Sequence, residues 1–135
     1  IDFWASWCGP CRASFPHLRE MYNAYGEKVT FISLSVDKDE KEWQKALGEE
    51  KLPWNQYLAT PELSKSTRTE YDLTSIPTFL VIDPEGKIIF SGHNTIFINQ
   101  DLRRIQKTLL YKILTRNVKP DKIISNNKLI IDYYF

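Results

Sequence analysis

An excess of charge of either sign is the first thing this sequence lacks: 18 Lys and Arg stand against 17 Asp and Glu. Without a basic surplus there is no electrostatic case for nucleic acid or an anionic membrane as partner. Long apolar runs are missing too, and none approaches the ~20 residues that a membrane-spanning helix needs. No internal repeat, low-complexity tract or domain boundary interrupts the chain. No signal peptide is visible. Ile1 reads as the middle of a strand, however, so the sequence reads as a piece of something longer, and any export signal or membrane tether is expected upstream. Cysteine is scarce: Cys8 and Cys11 are the only two. A bridge between them closes a tiny loop and removes little entropy from the unfolded chain, which makes the pair a poor structural staple. What is present is core material. Hydrophobic residues make up 42% of the 135 and aromatics 13%, enough for one domain with a real core.

Strand and helix signals alternate along the first half. Residues 1–5 (IDFWA) are apolar apart from Asp2 and suit a central buried strand. Phe15, Leu18, Met21, Tyr22 and Tyr25 keep helical spacing up to Gly26, a natural stop, with Pro16 expected to kink that helix. Residues 29–36 (VTFISLSV) read as a second buried strand. Asp37 followed by Glu40 resembles a capping box for a helix whose inner face is Trp43, Ala46 and Leu47 and whose end is Gly48. Residues 51–58 read as irregular. Thr60 and Pro61 start a short helix running to about Tyr71. Residues 78–82 form a strand, 83–86 a turn and 87–91 its antiparallel partner. Asn99 is placed to cap a last helix with Leu102, Ile105, Leu109 and Ile113 on one face. The expected fold is therefore α/β: parallel pairing through crossovers, then a hairpin that adds an antiparallel edge. Residues 115–135 stand apart from the domain at 1–114. They read as a poorly ordered end or as extra edge strands around a turn at Asn126 and Asn127.

The chemistry concentrates in DFWASWCGPCRASFPHL, residues 2–18. A thiolate is the nucleophile of disulfide exchange. Cys8 falls where a strand ends and a helix begins, so free N–H groups and the helix dipole favour its negative charge. Cys11 lies a turn later, deeper and less acidic. That asymmetry divides the labour: Cys8 attacks a substrate disulfide, and Cys11 resolves the mixed disulfide. Gly9 permits a tight backbone and Pro10 preorganises the first turn. Asp2, six residues before Cys8 in a buried strand, has the raised pKa suited to relaying the Cys11 proton, unless it is a solvent-exposed strand end. Two other readings of the pair stay open. A structural zinc needs four ligands, and His17 and His93 lack the usual paired spacing. A partner-binding module has no need of two thiols. No Thr or Ser with Arg is arranged around Cys8 as a peroxidase would require.

WCGPC after an apolar strand, Pro16 five residues past the second Cys, and Ile76-Pro77-Thr78 before a strand resemble thioredoxin. SVDKDEKEWQKALGEEKLPW and VIDPEGKII are more similar to the TlpA/ResA branch, and the likeness covers residues 1–114. It implies a thioredoxin-like fold, a central mixed sheet flanked by helices, with the N-terminal strand truncated here. It implies a buried Asp at the place of Asp2. It also implies a cis peptide before Pro77, which packs against the CxxC and leaves the Ile76 backbone free to pair with extended substrate. Trp7 is expected to flank the site as an apolar platform, or to be packed; Trp4 belongs to the core, and Trp54 to the core rather than to a groove. Arg12 either supports the thiolate or is plain surface charge, and His17 and His93 are surface residues. The implied function is a thiol–disulfide oxidoreductase of protein disulfides, more reductant than oxidant. It needs no metal or cofactor and takes electrons from an upstream donor: a membrane donor if it works in a bacterial periplasm or cell envelope, as the resemblance implies, or a flavoprotein reductase in the alternative of a cytoplasmic protein.

Overall fold

The computed structural model describes residues 1–71, 73–98, 100 and 102, and in the tail the backbone of residues 119–120, 124–125, 128–129 and 133–134. Eight elements span residues 2–92: β1 (Asp2–Trp4), α1 (Gly9–Tyr25), β2 (Ile32–Ser35), α2 (Glu40–Glu50), β3 (Asn55–Leu58), α3 (Pro61–Glu70), β4 (Thr78–Ile82) and β5 (Ile88–Gly92). The five strands form one mixed sheet in the order β3-β2-β1-β4-β5. β1 pairs parallel with β2, and β2 with β3, while β4 runs antiparallel to both β1 and β5. The central position of β1 explains its buried sequence: Asp2, Phe3 and Trp4 are all inside.

Alternation along the strands sorts the core into two layers. Trp4, Phe79 and Val81 join Cys8, Cys11, Phe15, Leu18 and Met21 on the face covered by α1. Phe3, Leu34 and Leu80 point the other way and pack with Ala59, Leu63 and Leu73. The Trp4 and Phe15 rings meet edge to face at 5.1 Å. That geometry fastens β1 to α1 just below the cysteines.

Several expectations need correction. Residues 55–58 are a strand, not irregular. This short edge strand is only partly buried and carries Asn55 and Gln56, so it lacks a buried-strand pattern; it is recruited by parallel register with β2. The α2 cap is Asp39, whose carboxylate accepts from Lys41 N–H at 2.9 Å, and not Asp37. Nor does α2 stop at Gly48. It continues to Glu50, and Lys51 takes the left-handed conformation with φ 49°. Tertiary contact makes that extension tolerable: Arg19 of α1 donates to the carbonyls of Glu50 and Lys51, which the helix end leaves without partners. Thr60 does cap α3, its Oγ1 accepting from Leu63 N–H at 3.2 Å. The last helix begins earlier than Asn99: residues 95–98 are helical, and Asn94 Oδ1 accepts from Ile96 N–H at 2.9 Å. Asn99 itself, with Ile105, Leu109 and Ile113, lies outside the described residues. In the tail, Lys119–Pro120 pairs with Tyr133–Tyr134, and Ile124–Ser125 pairs with Lys128–Leu129; the turn expected at Asn126 and Asn127 lies outside the described residues. These are separate two-stranded ladders; the five-stranded sheet takes no strand from the tail among the described residues.

Candidate active site

The site is built on the β1–α1 junction. Cys8 is the N-cap of α1, in extended conformation, and Pro10 occupies the first turn, where its missing N–H costs nothing. Cys8 N–H donates to the Ala5 carbonyl at 3.0 Å, and Arg12 N–H to the Cys8 carbonyl at 3.1 Å. The two sulfurs are bonded, with S–S 1.99 Å and Cα–Cα 5.3 Å. Cys11 N–H points at Cys8 Sγ from 3.2 Å. A thiolate on Cys8 would therefore find a backbone donor and the positive end of a 17-residue helix already in place. Cys8 retains 5% of its surface and Cys11 none. The neighbours Trp7, Gly9 and Pro10 are exposed, and Trp7 at 69% is an apolar ring offered to solvent rather than packed. No other His, Cys, Asp or Glu groups with the two cysteines in metal-binding geometry among the described residues.

The Ile76–Pro77 peptide is cis. The Pro77 carbonyl accepts a hydrogen bond from His93 Nδ1 at 2.7 Å. Thr78 Oγ1 donates to the Ser75 carbonyl at 2.5 Å, closing the short turn that carries Pro77. Ile76 and Pro77 are half-buried, and Ile76 packs against both core layers. His93 is exposed, and His17 on α1 meets Thr95 Oγ1 at 2.6 Å.

Asp2 is buried, at 4% exposure, rather than a solvated strand end. It shares a sheet face with Trp4 and so lies on the side covered by α1, the helix that carries Cys11. Burial pushes its carboxyl up from 3.8 to about 7, against the smaller opposing pull of the Ser33 hydroxyl and the N-terminal ammonium. Ser33 Oγ donates to Asp2 Oδ2 at 3.0 Å and accepts from Trp54 Nε1 at 2.8 Å. Among the described residues, Asp2 Oδ1 has no hydrogen-bond partner. Asp2 and Trp54 also line a cavity of about 80 Å³ with Leu18, Phe31, Phe79 and Val81. Trp54 is core, as its composition suggested, but it also buttresses the carboxylate through Ser33. Arg12 does not face the thiols as a free cation: its Nε holds Glu50 at 2.6 Å and its Nη2 holds Glu49 at 2.7 Å.

Sequence reasoning missed Ser33, Ser35, Ser6 and Asp37. A signal was present in ISLS: serines two apart in an otherwise apolar strand fall on one face, and both are fully buried. Such residues need partners, and here the partners are Asp2 and Asp37.

With this geometry in hand, the comparisons with known proteins point to one family. The family model described as thioredoxin-like matches residues 1–88. Probable nucleoredoxin 1 of Arabidopsis thaliana is 37% identical over 95 residues, covering 66% of this chain and 16% of that protein. The thiol-disulfide oxidoreductase ResA of Oceanobacillus iheyensis is 29% identical over 89 residues, covering 65% of this chain and 45% of its own. The chain thus spans less than half the length of these curated relatives. Among solved structures, the thioredoxin domain of a thiol-disulfide oxidoreductase from Bacteroides vulgatus superposes with a TM-score of 0.68 at 33% identity, covering 80% of this chain and 75% of that one.

Proposed function

The chain belongs to the thioredoxin-like family, and on that premise we propose that it is a thiol–disulfide oxidoreductase that reduces protein disulfides through Cys8 and Cys11. One observation carries the reading: the two cysteines are bonded across the first turn of α1, with Cys8 at the N-cap. In the reduced protein, the Cys8 thiolate attacks one sulfur of a substrate disulfide. The substrate S–S bond breaks, a Cys8–substrate disulfide forms and the first substrate thiolate leaves. Cys11 then gives its proton to the Asp2 carboxylate and attacks Cys8 Sγ. The Cys8–Cys11 bond forms, the mixed disulfide breaks, and the second substrate thiolate leaves and is protonated. Two electrons pass from the protein dithiol to the substrate, leaving the bonded state described above. A dithiol donor must then reduce the pair again.

The raised Asp2 pKa suits the relay, because a group near 7 is part ionised at neutral pH and both accepts and returns a proton. Exposed Trp7 gives an apolar platform to the incoming chain, and Gly9 and Pro10 let it approach closely. The Ile76 backbone beside Pro77 offers pairing to an extended substrate segment. Action in a bacterial cell envelope, expected from the TlpA/ResA likeness, is part of the same proposal. The test is trapping. Reduced Cys11→Ser protein mixed with a disulfide-bonded protein substrate should accumulate a mixed disulfide through Cys8, and Cys8→Ser protein should not. If neither variant traps substrate and the wild type reduces none, the reading fails.

A further inference from the structure

We propose that Asp37 is a positioning residue for the active-site turn, acting through Ser6 to hold Cys8 over the α1 N-terminus. The inference rests on the redox reading above. Asp37 follows β2 and is buried, with 7% of its surface exposed. Its carboxylate collects three side-on donors. Ser6 N–H reaches Oδ2 at 2.8 Å, Ser6 Oγ reaches Oδ1 at 2.7 Å and Ser35 Oγ reaches Oδ2 at 2.6 Å. Asp37 N–H returns a bond to Ser35 Oγ at 2.9 Å, which fixes the carboxylate from behind. Because Asp39 caps α2, helix capping is not what Asp37 is for.

Two of the three bonds end on Ser6, in the linker between β1 and α1 and two residues before Cys8. Upstream, Val36 N–H donates to the Trp4 carbonyl at 2.9 Å, zipping the end of β2 to β1. Asp37 continues that zipper one step beyond the sheet, with a side chain in place of the missing strand partner. A carboxylate is a costly way to fill space, since its burial must be offset by hydrogen bonds from donors. A residue needed only for packing would be apolar. Beside the Ser35 hydroxyl, the donors it satisfies are the main chain and hydroxyl of Ser6, the residue that leads into Trp7 and Cys8.

The consequence lies in the thiol. In the bonded state Cys11 N–H already stands 3.2 Å from Cys8 Sγ, and a Cys8 thiolate is stabilised by the N–H groups of the first turn only while Sγ stays over them. With the linker loose, Cys8 samples other positions and that stabilisation is diluted. The Cys8 pKa then rises and the disulfide becomes harder to reduce.

The experiment titrates the Cys8 thiolate by ultraviolet absorbance and measures the equilibrium with glutathione, in wild type, Asp37→Ala, Ser6→Ala, the double variant and Asp37→Asn. Asp37→Ala should raise the Cys8 pKa and shift the equilibrium roughly tenfold toward the disulfide, ~30 mV more negative for a two-electron couple. Ser6→Ala should shift both the same way but less, and the double variant should shift no further than Asp37→Ala, because the two residues act as one unit. Asp37→Asn should stay close to wild type: the amide oxygen can serve both donors at the Oδ2 position, while the Ser6 hydroxyl turns to accept. Wild-type titration and equilibrium in Asp37→Ala, or additive shifts in the double variant, overturn the inference even if melting temperatures fall. If Asp37→Ala does not fold, an unchanged Cys8 pKa in Ser6→Ala overturns it. A wild type with no reversible disulfide overturns the redox reading and this inference together; a wild type with one, and unshifted variants, overturns this inference alone.

Discussion

Replacing Asp2 by Asn should stabilise the protein in mild alkali and do little in acid. Asp2 is buried, and burial moves its carboxyl from 3.8 to about 7. The folded protein therefore holds this proton more tightly than the unfolded chain. Between those two values the folded state binds more protons, so stability falls as pH rises through the window. Below about pH 3 both states are protonated and the penalty vanishes; above about pH 8 it is complete. About three pH units at 1.36 kcal/mol each put the penalty on the order of 4 kcal/mol. Asn keeps the shape and can still meet Ser33, but it does not titrate. Urea denaturation of the oxidised proteins at about pH 4, 6 and 8 isolates the effect as a difference between the two variants. The stability difference should grow toward Asn by several kcal/mol across the series. Parallel profiles would refute the reasoning, since they would mean that Asp2 ionises as an ordinary carboxylate. In the kinetic counterpart, Asp2→Asn should slow resolution of the mixed disulfide near neutral pH and flatten its pH dependence between about 6 and 8.

Other perturbations separate platform, clamp and core. Trp7→Ala should raise KM for a protein disulfide several-fold with little change in stability, because the ring is 69% exposed; steady-state kinetics beside a urea melt checks both halves. Arg12→Ala should cost only about 1 kcal/mol, since its pairs with Glu49 and Glu50 are partly exposed and screened; a loss above ~3 kcal/mol would contradict that placement. Trp54→Phe removes the indole donor to buried Ser33 and should cost about 1–3 kcal/mol. Because Ser33 also donates to Asp2, the same substitution should move the pH profile of resolution.

The sheet and α1 were legible because apolar periodicity and burial coincide there. Residues 2–5 and 78–81 are buried on both faces, and Phe15, Leu18 and Met21 mark one helical stripe. β3 was hidden because an edge strand is specified by its neighbour's register more than by its own side chains. The true end of α2 was hidden for a related reason. Only the fold brings Arg19 of α1 to the carbonyls of Glu50 and Lys51, which lets the helix pass Gly48. At the site, the cysteines announce themselves by type and spacing. Asp2 does so by polarity in an apolar strand. Asp37 looked like a helix cap because Asp-x-x-Glu is a local pattern, whereas its partner Ser6 lies 31 residues away and becomes visible only when β1 and β2 are paired. Trp54 likewise could be placed in the core by its type, but not against Ser33.

The measurement that bears most directly on the account is the redox equilibrium of the Cys8–Cys11 pair against glutathione, followed by Trp fluorescence and by alkylation of free thiols. The account predicts one reversible two-electron transition in which the disulfide is held firmly, with a potential well below that of the glutathione couple, as a reductase requires. A pair that forms no reversible disulfide, or one that glutathione reduces readily, would contradict it.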